Sequence, residues 1–126
     1  MDEGQNAEIL SLLYSHSDES DTETIELIKS RMVVGMERYG HGLRINDDTT
    51  EWGTQANSWC EMALEEMLDG LVYTSAAILR LQQSQNRLKH VQVEYLNTML
   101  KDIMRIATSI RLNEKNVHLK EVHNIM

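Results

Sequence analysis

The sequence predicts an all-α, four-helix-bundle-like domain with a long central helix, and three observations predict it. The 126 residues contain no proline, so no helix need be broken by a missing amide. Phe is absent while Met occurs eight times, which weakens any all-β reading, since strands favour aromatic and β-branched residues. Four segments carry apolar residues at helical spacing. At 126 residues the chain has room for one domain with one core, taken as residues 1–126.

The first helix is expected over roughly Asn6 to Ser15, where Ile9, Leu10, Leu12, Leu13 and Tyr14 cluster. Ser15 to Thr22 is polar and reads as a loop. Ser20 followed by Glu23 has the capping-box pattern, in which each side chain satisfies the other's backbone amide. The second helix then runs to about Tyr39, with Ile25, Ile28, Met32, Val33 and Met36 on one face, and Gly40 and Gly42 stop it. His41 to Gly53 is the longest irregular stretch, acidic at Asp47, Asp48 and Glu51. Loops of that length in small domains tend to be functional or mobile.

From about Thr54 to Arg80 the pattern is apolar on nearly every side: Trp59, Met62, Leu64, Met67, Leu68, Leu71, Val72, Ile78 and Leu79. A helix of that kind belongs at the centre of a bundle. The polar run Gln82–Lys89 is expected to hold a break. A last helix comes next, from about Val91 to Leu112, with Val91, Tyr95, Met99, Ile103, Ile106 and Ile110 in register; beyond Asn113 the chain frays or adds a final turn.

Hydrophobic residues at 41% and charged residues at 25% fit a globular chain. The net charge of −8 repels phosphate backbones and anionic lipid, which argues against nucleic-acid and membrane partners. No apolar stretch approaches a membrane span, and the polar N-terminus does not read as a signal peptide. Cys60, the single cysteine, excludes an intrachain disulfide and fits a reducing compartment, so the expected location is cytoplasmic. Cys60 reads as packing. His90, His118 and His123 show no zinc spacing with it, and His41 reads as an exposed or hydrogen-bonding loop residue.

The chemical signal lies on the central helix, where Glu61, Glu65, Glu66 and Asp69 fall among apolar residues. At about 100° per residue, Glu66 and Asp69 are ~60° apart and one turn from each other. Two like charges on a buried helix require a positive counter-charge. A hard divalent cation such as Mg²⁺ supplies it and prefers carboxylate oxygens. Solvated acids at helical spacing are the plainer explanation, and the flanking apolar residues count against it.

The run Glu65-Glu66-Met67-Leu68-Asp69, which leads into Gly-Leu-Val-Tyr, resembles the Glu-Glu-x-x-Asp motif of the MazG-like all-α nucleoside triphosphate pyrophosphohydrolases, to which dimeric dUTPases and dCTP pyrophosphatases are related. The resemblance implies Mg²⁺, with Mn²⁺ as an alternative ion, held by Glu66 and Asp69 and completed by Glu26 or Glu65. Glu23-Thr-Ile-Glu26 is the match to the family's earlier Glu-x-x-Glu. Arg31 to Gly40 resembles an Arg…Tyr-Gly signature, and Leu112-Asn113-Glu-Lys115 is similar to an Asn-x-Lys in which both residues hold nucleotide.

The activity that the resemblance implies is hydrolysis of a nucleoside triphosphate to monophosphate and pyrophosphate. Glu65 or Glu26 would act as base on the attacking water. Arg38 is the first candidate for the outer phosphates, ahead of Arg31, Arg44, Lys101 and Lys115; Tyr39, Trp52 or Trp59 would meet the base. The resemblance also implies a homodimer or homotetramer. Two other readings stay open: a non-catalytic helical interaction or regulatory module, and a degenerate member that binds nucleotide or metal without turnover.

Overall fold

The computed structural model describes residues 2–85 and 87–125, with side chains through Lys115. Among them are four α-helices: α1 (Asn6–Ser15), α2 (Thr22–Tyr39), α3 (Trp59–Gln83) and α4 (Lys89–Ile125). The chain divides into two compact units, one running through Asp47 and one beginning at Asp48. The all-α expectation is met, and each unit pairs two helices.

In the first unit, α1 and α2 are linked by a 3-10 turn, Glu19–Asp21. The expected capping box is corrected here. Ser20 does not cap α2, whose N-cap is Asp21 with no side-chain cap bond; the box lies on the preceding 3-10 turn, where the Asp18 carboxylate accepts from the Ser20 amide at 2.8 Å and the Asp21 carboxylate accepts from the Asp18 amide at 3.0 Å. The Ser20 hydroxyl is itself engaged as a donor to the Asp18 carboxylate. Helix α2 ends on Gly40 at φ +82°, a left-handed conformation that favours glycine.

Gly42 serves a different purpose from the helix stop expected of it. The N-terminal segment lies beside residues 41–45, with Gly42 N–H donating to the Asp2 carbonyl and Gln5 N–H to the Leu43 carbonyl. The side chains of Asn6 and Gln5 accept from the Leu43 and Ile45 amides. A β-carbon on Gly42 would strike the Glu3 backbone.

The second unit is an antiparallel helical hairpin. Between Lys89 and Lys115 every residue that is not exposed falls on one seven-residue repeat: Lys89, Val93, Leu96, Leu100, Ile103, Ala107, Ile110 and Glu114. On α3 the matching row is Leu64, Met67, Leu71, Thr74, Ile78 and Leu81. Steps alternating between three and four residues are the seam of a two-helix coiled coil. Leu71, Ile78 and Ala107 are buried at its centre.

This seam corrects the expectation that α3 is buried all round. One neighbouring helix can cover only one stripe, so Leu68, Val72, Tyr73 and Leu79 stay 49–69% exposed. Helix α3 also begins five residues later than expected, at Trp59, because residues 48–58 fold into a hydrogen-bonded loop. The break after Gln82 is confirmed: α3 ends at Gln83 and α4 opens at Lys89. Helix α4 continues to Ile125, beyond the fraying or single final turn expected after Asn113. No helix among the described residues is long and apolar enough to cross a membrane.

Candidate functional site

Glu65, Glu66 and Asp69 all lie on the solvent side of α3, and all three are exposed, which corrects the buried setting expected of them and removes the need for a counter-charge that burial would impose. The geometry is set by the seam. With Leu64, Met67 and Leu71 turned to α4, Asp69 points about 180° away, and Glu66 and Glu65 point ~120° and ~140° away on opposite sides. None of the three forms an ion pair or hydrogen bond among the described residues. Glu66 and Asp69 therefore share one turn with free oxygens, as their spacing requires. A third metal-ligating side chain does not join them: among the described residues no group of three His, Cys, Asp or Glu is placed to hold an ion.

Glu61 does something else. Its two carboxylate oxygens accept from the amides of Gln55 and Ala56 at 2.8 and 3.0 Å, while its own amide donates to the Ser58 hydroxyl at 3.1 Å. Ser58 is thus the N-cap of α3. The run Ser58-Trp-Cys-Glu61 has the Ser-x-x-Glu spacing of a helix start, so the true beginning of α3 is marked in the sequence, although periodicity alone points to Thr54. Thr49, fully buried, organises the rest of the loop. Its hydroxyl accepts from the Ser58 amide at 2.8 Å and meets the Thr54 hydroxyl at 2.8 Å, and its amide donates to the Asn57 side chain at 3.1 Å.

Trp52 in this loop packs edge-on against Trp59, with ring centroids 5.2 Å apart at 63°. Trp59 is half-buried, while Trp52 keeps nearly half of its surface open. Cys60, expected as packing, is exposed. Partial covering of the sulfur, and secondly the Glu114 carboxylate, push its thiol above the ordinary cysteine value.

The remaining candidates are carried by other elements. Glu26 and Glu23 are exposed on α2, in the first unit, and Glu26 is paired with Lys29 at 3.2 Å. Tyr14 first, and Glu26 second, hold the Lys29 ammonium above its usual value. Arg38 is exposed and stands 5.8 Å over the Tyr39 ring, and Arg44 pairs with Asp2 at 3.7 Å. Arg31 is exposed on the same helix as Arg38.

Asn113 and Lys115 are exposed on α4. Two positions on a continuous helix that differ by two residues are ~160° apart, so these project to nearly opposite sides. Lys101 and His90 line an open groove of about 590 Å³ with Gln82, Lys89 and Asn97, near the α3–α4 turn. His41 is a loop hydrogen bonder, as expected. Its Nδ1 lies 2.6 Å from the Gly42 carbonyl, which can only accept, so Nδ1 carries the proton. His118 and His123 fall outside the residues whose side chains are described.

The site is thus a pair of unpaired carboxylates, one turn apart, on the outer face of a helical hairpin. Compared with known proteins, the chain matches no family model, no curated protein and no solved structure.

Proposed function

We propose that this chain is a Mg²⁺-dependent nucleoside triphosphate pyrophosphohydrolase, releasing monophosphate and pyrophosphate. The observation that carries the reading is the placement of Glu66 and Asp69, one turn apart on α3 and free of ion pairs among the described residues. The pattern Glu65-Glu66-x-x-Asp69 resembles that of MazG-like enzymes, and the all-helical fold is compatible with it. The donor set fits Mg²⁺, which commonly takes only one or two protein carboxylates and fills its shell with water and substrate phosphate.

Glu66 and Asp69 would hold the ion, which when bound supplies charge neutralisation at the phosphates and lowers the pKa of coordinated water. Glu65, on the neighbouring turn with both oxygens uncommitted, would accept the proton of the attacking water at its carboxylate. Lys115 and Lys101, which have no ion pair among the described residues, are two cations of this unit that could meet phosphate oxygens. Trp52 offers an open aromatic face for a nucleobase.

The test is pyrophosphate release from a panel of ribo- and deoxynucleoside triphosphates with Mg²⁺, with Asp69→Asn and Glu66→Gln alongside. Turnover that collapses in both variants supports the reading. A panel without turnover overturns it.

A second reading, a non-catalytic helical interaction module, is favoured by the apolar residues that α3 leaves in solvent. Self-association by a chain that hydrolyses nothing would select it.

A further inference from the structure

Glu61 departs from the ordinary use of its position. A Glu three residues after a Ser N-cap commonly accepts from the amide of that same Ser. Here the Ser58 amide goes to the Thr49 hydroxyl at 2.8 Å, and Glu61 reaches past it to the amides of Gln55 and Ala56 at 2.8 and 3.0 Å. Both carboxylate oxygens are engaged by two consecutive backbone amides, so the grip has a fixed direction.

Trp59 and Glu61 are two positions apart on α3 and project ~160° from each other. The loop therefore straddles the first turn of the helix, with the Trp52 ring packed on the Trp59 side and Gln55 and Ala56 held on the Glu61 side. Between the two holds, Gly53 turns the chain at φ +107° and Thr54 is buried. The Trp59 side is also the side of Glu66. Seven positions separate them, which is ~20° around the axis and ~10.5 Å along it. Trp52, 46% exposed, thus stands on the Glu66 side of α3, at a span that a nucleoside triphosphate bridges between its base and its phosphates.

From this straddling loop we infer that Glu61 is the positioning residue for nucleobase recognition. Glu61 touches no substrate; it holds Gln55 and Ala56 so that the Trp52 ring stays on Trp59 and offers the base one fixed place. The inference rests on the hydrolase reading of Glu66 and Asp69, with Trp52 meeting the base. A loop released on the Glu61 side loses affinity for the base, while Glu66 and Asp69, which point ~140° and ~80° away from Glu61, keep their places on the helix.

Steady-state hydrolysis by the full chain with Mg²⁺ tests this, using Glu61→Ala, Trp52→Ala and the double variant. Each single variant should raise KM for nucleoside triphosphates about tenfold, the scale of one lost base–aromatic stack, with kcat near the wild-type value. The double variant should raise KM no further than Trp52→Ala alone, because Glu61 acts only through that ring. Glu61→Gln keeps one acceptor oxygen and should fall between wild type and Glu61→Ala; it carries the comparison if Glu61→Ala loses helical signal. A KM unmoved by the Glu61 variants, single effects that multiply in the double variant, or a fall in kcat at constant KM would each overturn the assignment. A wild-type chain without turnover would instead overturn the hydrolase reading, and the assignment with it.

Discussion

Ser58 and Glu114 meet across the hairpin, the Ser58 hydroxyl donating to a Glu114 carboxylate oxygen at 3.2 Å. Fifty-six residues separate them in sequence. The contact ties the residue just before α3 to the far end of the α4 seam, and it fixes the antiparallel register between them. Both residues have further work, since Ser58 caps α3 and Glu114 borders Cys60.

Ser58→Ala removes the cap of α3 and the cross-helix bond together. The expected loss is about 1–2 kcal/mol in denaturant unfolding, with Glu114→Ala losing less because its partner hydroxyl keeps access to water. Equal losses from the two variants would show that the cap contributes nothing.

Thr49→Val should be the most disruptive change in the loop. It preserves shape but leaves the Ser58 amide without its acceptor inside a buried cluster. A loss of about 1–3 kcal/mol is expected, with a change in Trp fluorescence as the Trp52–Trp59 packing loosens. Unchanged stability and an unchanged spectrum would rule out the loop as a structural element.

Seam and exposed positions should separate cleanly by mutation. Ile78→Ala, at a buried seam position, should cost about 2–4 kcal/mol. Ile106→Ala, at a position 43% exposed, should cost under about 1 kcal/mol. Gly70→Ala is expected to stabilise by up to about 1 kcal/mol, because a β-carbon there meets nothing within 4 Å and helix propensity favours alanine. Denaturant midpoints of the three variants check the order.

Acid should weaken the two caps first. The Asp18 and Asp48 carboxyls are both held below their ordinary value by hydrogen bonds from Ser20 and Thr50. A depressed folded-state pKa means that the stabilisation is present above the unfolded value of about 3.9 and is lost as pH falls through the folded value. An Asp18→Asn, Asp48→Asn double variant should therefore be less stable than wild type at neutral pH and converge on it below about pH 4. A constant gap from neutral to acid pH would contradict this.

Cys60 should react slowly for an exposed thiol. Its raised pKa lowers the thiolate fraction at neutral pH, and Glu114→Gln removes one of the two causes. Alkylation at about pH 7.5, still below the ordinary thiol pKa, should be faster in that variant than in wild type. An identical rate would leave covering of the sulfur as the whole cause.

The helices were legible in the sequence because their determinants are local. Asn6–Ser15 and the end of α2 at Tyr39 are set by periodicity and by Gly40, and the break after Gln82 by a loss of apolar residues. The adjacency of Glu66 and Asp69 is likewise a property of one helix turn. Three things required the folded chain. The capping box formed two residues earlier than expected, between Asp18 and Asp21 on a 3-10 turn that the sequence pattern does not mark, and Ser20 became a donor to it. The start of α3 moved to Trp59 because Thr49 and Glu61 hold the preceding loop in hydrogen bonds that apolar periodicity does not register. Above all, an α3 that is apolar on nearly every side has no face marked as inward by sequence. The seven-residue row on α4 selected Leu64, Met67, Leu71 and Ile78 for the seam, and that choice left Leu68, Val72 and Leu79, together with the three carboxylates, turned to solvent. A helix can bury only the stripe its neighbour covers, and the neighbour's register is set by packing along the whole hairpin rather than by any residue of α3 alone.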